Sequence, residues 1–202
     1  MKISVLGSGN IGRRLTKYWA EAGHEVMLGT RTVDDDAREM AAELQSQIGT
    51  HAEAAAHGVV VALAIPGNAL EPVVTSLDLS DKIIIDATNF SGSDGKSGAE
   101  RIAEWAPNAT VYKAFNTTGA ENFDKPELNG MRVDMLFSGA DGDTRQTVAQ
   151  LISDIGFNPI YAGGIEKSAL LEAVARLWIS MVFEQGYSRR MSFKLLMAEN
   201  NN

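Results

Sequence analysis

Short blocks of consecutive apolar residues alternate along the chain with segments whose apolar positions recur every three or four residues. The first kind reads as strand and the second as helix. Strands are expected over residues 2–6, 24–29, 59–65, 82–87, 110–114, 131–138 and 158–161. Helices are expected over 11–22, 34–47, 52–57, 69–77, 97–105 and 144–155. The run Val59-Val60-Val61-Ala62-Leu63-Ala64-Ile65, stopped by Pro66 and Gly67, has no polar face and suits a strand buried on both sides. Strand–helix alternation of this kind predicts βαβ units and a mainly parallel, right-handed wound sheet.

After Gly163-Gly164 the pattern changes to one long helical segment, 166–183, apolar at Leu170, Leu171, Val174, Leu177, Trp178, Met181 and Val182. These positions cover more than one face. One side is expected on the sheet domain, and the other either on a second subunit or deeper in the same chain. The loop SGSDGKSG (91–98) has little to pack, and the tail from Ser188 to Asn202 is expected to be loosely ordered.

Charge changes the picture of what can bind. The 202 residues carry 18 Lys and Arg against 26 Asp and Glu, a formal net charge of −8. Such a surface repels nucleic acid and anionic membranes, so any bound anion needs a local device. With no cysteine, disulfides, thiol catalysis and thiolate metal sites are excluded. The start MKISVLGSG enters a strand without a signal-peptide pattern, and no apolar stretch approaches the roughly 20 residues of a membrane helix. A cytoplasmic location is expected.

The local device is Gly7-Ser8-Gly9-Asn10-Ile11-Gly12. It follows the first strand and opens the first helix, the context in which G-x-G-x-x-G binds a dinucleotide. Gly7 suits the tight turn, Gly9 admits a pyrophosphate to the backbone, and Gly12 lets helix pack on strand. Amides at the helix start supply the anion site. Where the second strand ends, an acid would select NAD by holding the free 2′-hydroxyl. This chain has Thr30 and Arg31, which instead accommodate the 2′-phosphate of NADP. Asp34, Asp35 and Asp36 oppose that assignment unless they turn into a helix cap; Arg38 is a possible further contact. Ligands lie at the carboxyl ends of parallel strands. Ala64, Ile65 and Pro66, then Asn89, then Ala114 and Asn116 are therefore candidates for ribose, carboxamide and nicotinamide contacts. The two asparagines read equally well as turn residues.

Other chemistry fails on inspection. Gly95-Lys96-Ser97 has the ending of a P-loop, but the leading glycine would fall on Phe90. Tyr18, Tyr112, Tyr161 and Tyr187 all lack a lysine four positions on, so there is no Tyr-x-x-x-Lys pair. His24, His51 and His57 lack metal-ligand spacing, with His51 and His57 expected at the surface, and no G-x-S-x-G elbow occurs. No catalytic acid–base residue and no metal site is assigned. Carbonyl reduction calls for a proton donor, whereas hydride transfer between stacked planar rings calls mainly for positioning.

GSGNIGRRL, GTR, VVVALAIP, IIIDATN, VYKAFNT and GFNPIYAGG…LW occur here in the order found in the NADP-dependent oxidoreductases of coenzyme F420, an 8-hydroxy-5-deazaflavin. The chain resembles that family, and also the NADPH domain of the six-transmembrane ferric reductases, over roughly residues 1–183. The resemblance implies a Rossmann-type doubly wound α/β domain (1–162) with a small C-terminal helix and tail (163–202). It implies Gly7 to Ile11 on the pyrophosphate, Thr30 and Arg31 on the 2′-phosphate, and Ile65, Asn89, Ala114 and Asn116 around the nicotinamide. The expected activity is hydride transfer between NADP(H) and a deazaflavin, flavin or similar small planar acceptor, in a homodimer formed through the C-terminal helix. The alternatives are a non-catalytic NADP-binding redox sensor and a small imine or β-hydroxyacid reductase.

Overall fold

The structure, a computed structural model, describes residues 1–89 and 95–198. The loop expected at 91–98 and the tail's last four residues therefore lie partly or wholly outside the described residues. The first half follows the expected alternation: β1 (Lys2–Leu6), α1 (Asn10–Glu21), β2 (Glu25–Thr30), α2 (Asp35–Glu43), β3 (Gln47–Thr50), α3 (His51–His57) and β4 (Val60–Leu63). The second half runs α4 (Leu70–Val74), β5 (Ile83–Asp86), α5 (Gly98–Trp105), β6 (Thr110–Lys113), α6 (Glu121–Asp124), β7 (Glu127–Leu128), β8 (Met131–Arg132), β9 (Asp134–Gly139), α7 (Asp143–Asp154), β10 (Asn158–Tyr161) and α8 (Ser168–Phe183).

Eight strands form one sheet in the order β10-β9-β6-β5-β4-β1-β2-β3. Its pairs are parallel except β6 with β9. Alternation within the apolar runs fills both faces. Ile3, Val5, Val60 and Ala62 join Leu15, Trp19 and Leu151 on one side, while Leu6, Val61 and Leu63 join Ala54, Leu70 and Ile102 on the other. That is why VVVALAI has no polar position. Trp19 Nε1 donates to the Leu151 carbonyl at 2.9 Å, tying α1 to α7 inside the first layer.

Three expectations need correction. The helix expected over 34–47 ends at Glu43; Gln45 takes a left-handed φ of 53°, and Gln47–Thr50 adds a parallel edge strand beside β2. The strand expected over 131–138 divides into β8 and β9. The former closes a hairpin with β7 through Asn129-Gly130, both at positive φ (52° and 78°), as Asn-Gly hairpin turns require. The tail, expected to be loose, lacks regular structure but is pinned as far as Leu195. The Met191 carbonyl accepts from Trp178 Nε1 at 3.0 Å and from Asn122 Nδ2 at 3.1 Å, and Asp134 accepts from Lys194 Nζ and Leu195 N.

Candidate functional site

Strand β1 is flanked by β2 on one side and β4 on the other, so successive crossovers leave it in opposite directions. A crevice opens at the carboxyl ends of strands at such a reversal. Here it is a cleft of about 840 Å³, running from Thr30, Arg31 and His51 past Gly7 to Ile11, then along Ala64, Ile65 and Pro66 to Ala87, Thr88 and Asn89.

The three glycines of the β1–α1 turn differ in what they do. Gly7 has φ +110°, and a Cβ there would lie 2.4 Å from the Ala64 carbonyl oxygen. A Cβ on Gly12 would lie 1.9 Å from the Gly7 oxygen. Both are glycines for reasons internal to the fold. Gly9 is different: its φ of −75° and ψ of −174° suit any residue, and nothing lies within 4 Å of its would-be Cβ. Gly9 is also the N-cap of α1, contributes no side-chain cap, and no acid occupies the first turn. The first amides of a twelve-residue helix are thus left pointing at open space.

At the far end of β2, Thr30 Oγ1 donates to the Thr32 carbonyl at 2.8 Å. Asp34 caps α2 by accepting from Ala37 N at 2.9 Å, and Asp35 and Asp36 occupy that helix's first turn. Asp34 is therefore turned into the helix, and Arg31 pairs with no carboxylate among the described residues. Arg38 Nη1 donates to the Val33 carbonyl at 3.3 Å and is not among the cleft-lining residues.

The opposite end rests on a buried ionic cluster that sequence reasoning missed. Lys113, the last residue of β6, is 0% exposed. Its Nζ donates to Asp86 Oδ2 at 2.8 Å, to Glu172 Oε1 at 2.8 Å and to the Thr88 carbonyl at 2.5 Å. Asp86 Oδ1 also accepts from Thr88 N, and Glu172 Oε1 from Gly98 N. One lysine thus joins the ends of β5 and β6 to α8 and to the start of α5, fixing Thr88 and Asn89 in the cleft wall. Nothing in the periodicity of KIIIDAT or VYKAFNT separates a buried Asp or Lys from a strand-end charge.

Gly12, Ala114 and Asn116 lie behind the wall rather than on it. Asn116 Nδ2 donates to the Leu171 carbonyl at 3.4 Å and reaches Asn89 Oδ1 at 3.5 Å, so it backs a cleft residue. Between them Phe115 holds φ +66°, an uncommon conformation for a bulky residue. Its ring is locked edge-on to Trp19, 5.7 Å between centroids, and beside Phe123 at 6.0 Å. Such local strain persists only where surrounding packing imposes it. Thr88 Oγ1 and Asn116 Oδ1, both buried, have no hydrogen-bond partner among the described residues.

His51, expected at the surface, lines the cleft beside Arg31 instead. Burial, aided by the Arg31 charge, holds its imidazole below the ordinary value of 6.5. Its signal in the sequence was only its place directly after the short edge strand that was not foreseen.

These features define a Rossmann-type domain with a cleft at its topological switch point, basic at the end of β2. Residues 2–90 match the family described as NADP oxidoreductase coenzyme F420-dependent. The F420-dependent NADP reductase of Methanothermobacter thermautotrophicus is 28% identical over 207 aligned positions, covering 90% of this chain and 89% of that protein. Rat metalloreductase STEAP3 is 26% identical across 86% of this chain, which spans 36% of that protein's length. The crystal structure of a provisionally assigned F420-dependent NADP reductase from Arthrobacter sp. FB24 superposes with a TM-score of 0.87 at 26% identity, covering 98% of this chain and all of that one. An imine reductase from Aspergillus terreus, solved with NADPH4, shares the fold at a TM-score of 0.70 and 21% identity, over 92% of this chain and 63% of that one. The resemblance expected from the motifs is therefore present in sequence and in fold.

Proposed function

We propose that the chain is an NADP(H)-dependent oxidoreductase whose acceptor is a deazaflavin, a flavin or a similar planar ring. The observation that carries the cofactor half is Gly9: a residue kept without a side chain where neither backbone angle nor protein packing asks for it. Space at that point, facing the bare amides of α1, fits a pyrophosphate. The unpaired Arg31 fits a further phosphate at the adenosine end. The unsatisfied Thr88 Oγ1, on a residue of the cleft wall, offers hydrogen-bonding capacity at the end where a carboxamide belongs.

For the acceptor half, the support is the chemistry of the lining. Among the described lining residues the titratable side chains are Arg31 and His51, both at the adenosine end. Near Ile65, Pro66, Ala87, Thr88 and Asn89 the wall is apolar or neutral, and Lys113 is sealed beneath it in its ion cluster. Such a wall can seat and orient a flat ring and exclude water. Bound NADPH would supply hydride there, and the acceptor ring would take the single accompanying proton from solvent. The names of the Methanothermobacter and Arthrobacter relatives point the same way.

The test is anaerobic NADPH oxidation by the purified chain with coenzyme F420, FMN, FAD or a ferric chelate in turn. Turnover with one of the ring acceptors supports the reading. NADPH binding without turnover on any of them would instead favour a redox-sensing module, and turnover only with an imine or a keto acid would favour a small reductase of that type. For assembly, we propose a homodimer through α8. Leu170 and Leu177, two turns apart on the side facing away from the sheet, are 61% and 53% exposed.

A further inference from the structure

Arg31 and His51 stand together at one end of the cleft, and neither pairs with a carboxylate among the described residues. The placement follows from local sequence. Thr50 and Glu53 form a capping box that starts α3 at His51. Gly29 of β2 has no side chain, and a Cβ there would meet Ala54 Cβ at 2.9 Å and lie 3.5 Å from His51 Cα. Helix α3 can therefore sit low over the end of β2, which carries the imidazole alongside Thr30 and Arg31. The ring makes no hydrogen bond to any described residue.

We propose that His51 is the second, pH-responsive contact for the 2′-phosphate of NADP, binding it as imidazolium beside the Arg31 guanidinium and thereby setting the margin of NADP over NAD. This rests on the NADP reading above.

The electrostatics support it. Helix α3 packs on β1, β2 and β3. Of their charged residues, Lys2 and Glu25 pair with one another at 3.8 Å at the opposite strand ends, Glu25 also lying 3.9 Å from His57. On α3 itself, Glu53 is engaged by Thr50 N and Oγ1 at 2.7 and 2.8 Å. Asp34 is turned into its own helix cap. Burial first, and the Arg31 charge with it, holds the imidazole below its ordinary value in the free protein and so favours the neutral ring. A phosphate dianion reverses the balance, because the charged form then gains an opposite charge and a charge-assisted N–H···O bond. Binding NADP therefore takes up a proton. Affinity is greatest below the pKa of the free protein's imidazole and falls as pH rises through the higher pKa of the complex. NADH lacks the phosphate and feels neither effect.

The experiment is isothermal titration calorimetry at about pH 7 in buffers of different ionisation enthalpy. NADPH and NADH are each titrated into the wild-type chain and into His51→Gln, with thermal melts to check folding. The wild type is expected to take up a fraction of a proton with NADPH and none with NADH. In His51→Gln that uptake vanishes, NADPH affinity drops roughly tenfold, and NADH affinity is unchanged. Between about pH 6.5 and 8.5, above the second phosphate ionisation near 6, wild-type NADPH affinity falls with pH and that of the variant stays level. NADPH preferred over NADH, but without proton uptake and with His51→Gln indistinguishable from wild type, would overturn this role for His51. Equal affinity for the two cofactors would overturn the NADP reading itself.

Discussion

Replacing Gly9 by Ala separates a glycine kept for the ligand from one kept for the fold. The backbone at Gly9, φ −75° and ψ −174°, is open to alanine, and the added methyl meets no atom within 4 Å. Folding should therefore be unharmed. Gly→Ala at a compatible angle usually adds about 0.4–1 kcal/mol by restricting the unfolded chain. On the proposed reading, the same methyl would stand where the pyrophosphate approaches the α1 amides. Losing one hydrogen bond to a charged group costs about 1.5–3 kcal/mol, or roughly 10- to 150-fold in affinity. Thermal melting should thus show an unchanged or slightly higher Tm, while NADPH titration shows at least a tenfold loss. Gly7→Ala and Gly12→Ala are the internal comparison: their methyls would press on backbone oxygens at 2.4 and 1.9 Å, so both should lower Tm markedly. Undiminished NADPH binding by a well-folded Gly9→Ala protein would refute the reasoning.

Three further outcomes can be measured. Lys113→Met strands Asp86 and Glu172 as buried carboxylates, and breaking such a pair costs about 3–5 kcal/mol. Urea denaturation should show this, with much of the loss regained when Asp86→Asn and Glu172→Gln are added; no recovery would mean the cluster's charges are not what matters. Burial raises the Asp134 carboxyl, but bonds from Asn158, Lys194 and Leu195 N outweigh that and hold it below the ordinary 3.8. Its contribution is full above that value and is lost as pH falls through the lower folded value. Tail release, followed by Trp178 fluorescence or proteolysis of residues 188–198, should therefore appear only in acid, and at neutral pH in Asp134→Asn; a tail equally protected in that variant would argue against this anchor. Leu170→Asp with Leu177→Asp should convert a dimer to a monomer in light scattering without changing helix content, and a wild type already monomeric would contradict the α8 interface.

The parallel core and the turn after β1 were legible because apolar runs and glycine spacing are local signals. The strand β3 was not: in Gln47–Thr50 only Ile48 is apolar, and its place is set by pairing with β2. The Asn-Gly of the β7–β8 hairpin was a readable turn signal, hidden by the apolar run that follows it. At the site, Gly7 to Ile11, Thr30, Arg31, Ala64 to Pro66 and Asn89 come together as expected, since strand ends converge by topology. The Lys113 cluster and the position of His51 depend on side chains from distant segments meeting, which periodicity along one segment does not encode.

The central claim is that the cleft selects NADP through Arg31, which pairs with no carboxylate among the described residues, and direct titration of both cofactors tests it most plainly. Purified wild type should bind NADPH well ahead of NADH, and Arg31→Ala should narrow that gap by about 1.5–3 kcal/mol, nearly all of it lost from NADPH. Equal binding of the two cofactors by the wild type, or a gap that survives Arg31→Ala intact, would contradict the account.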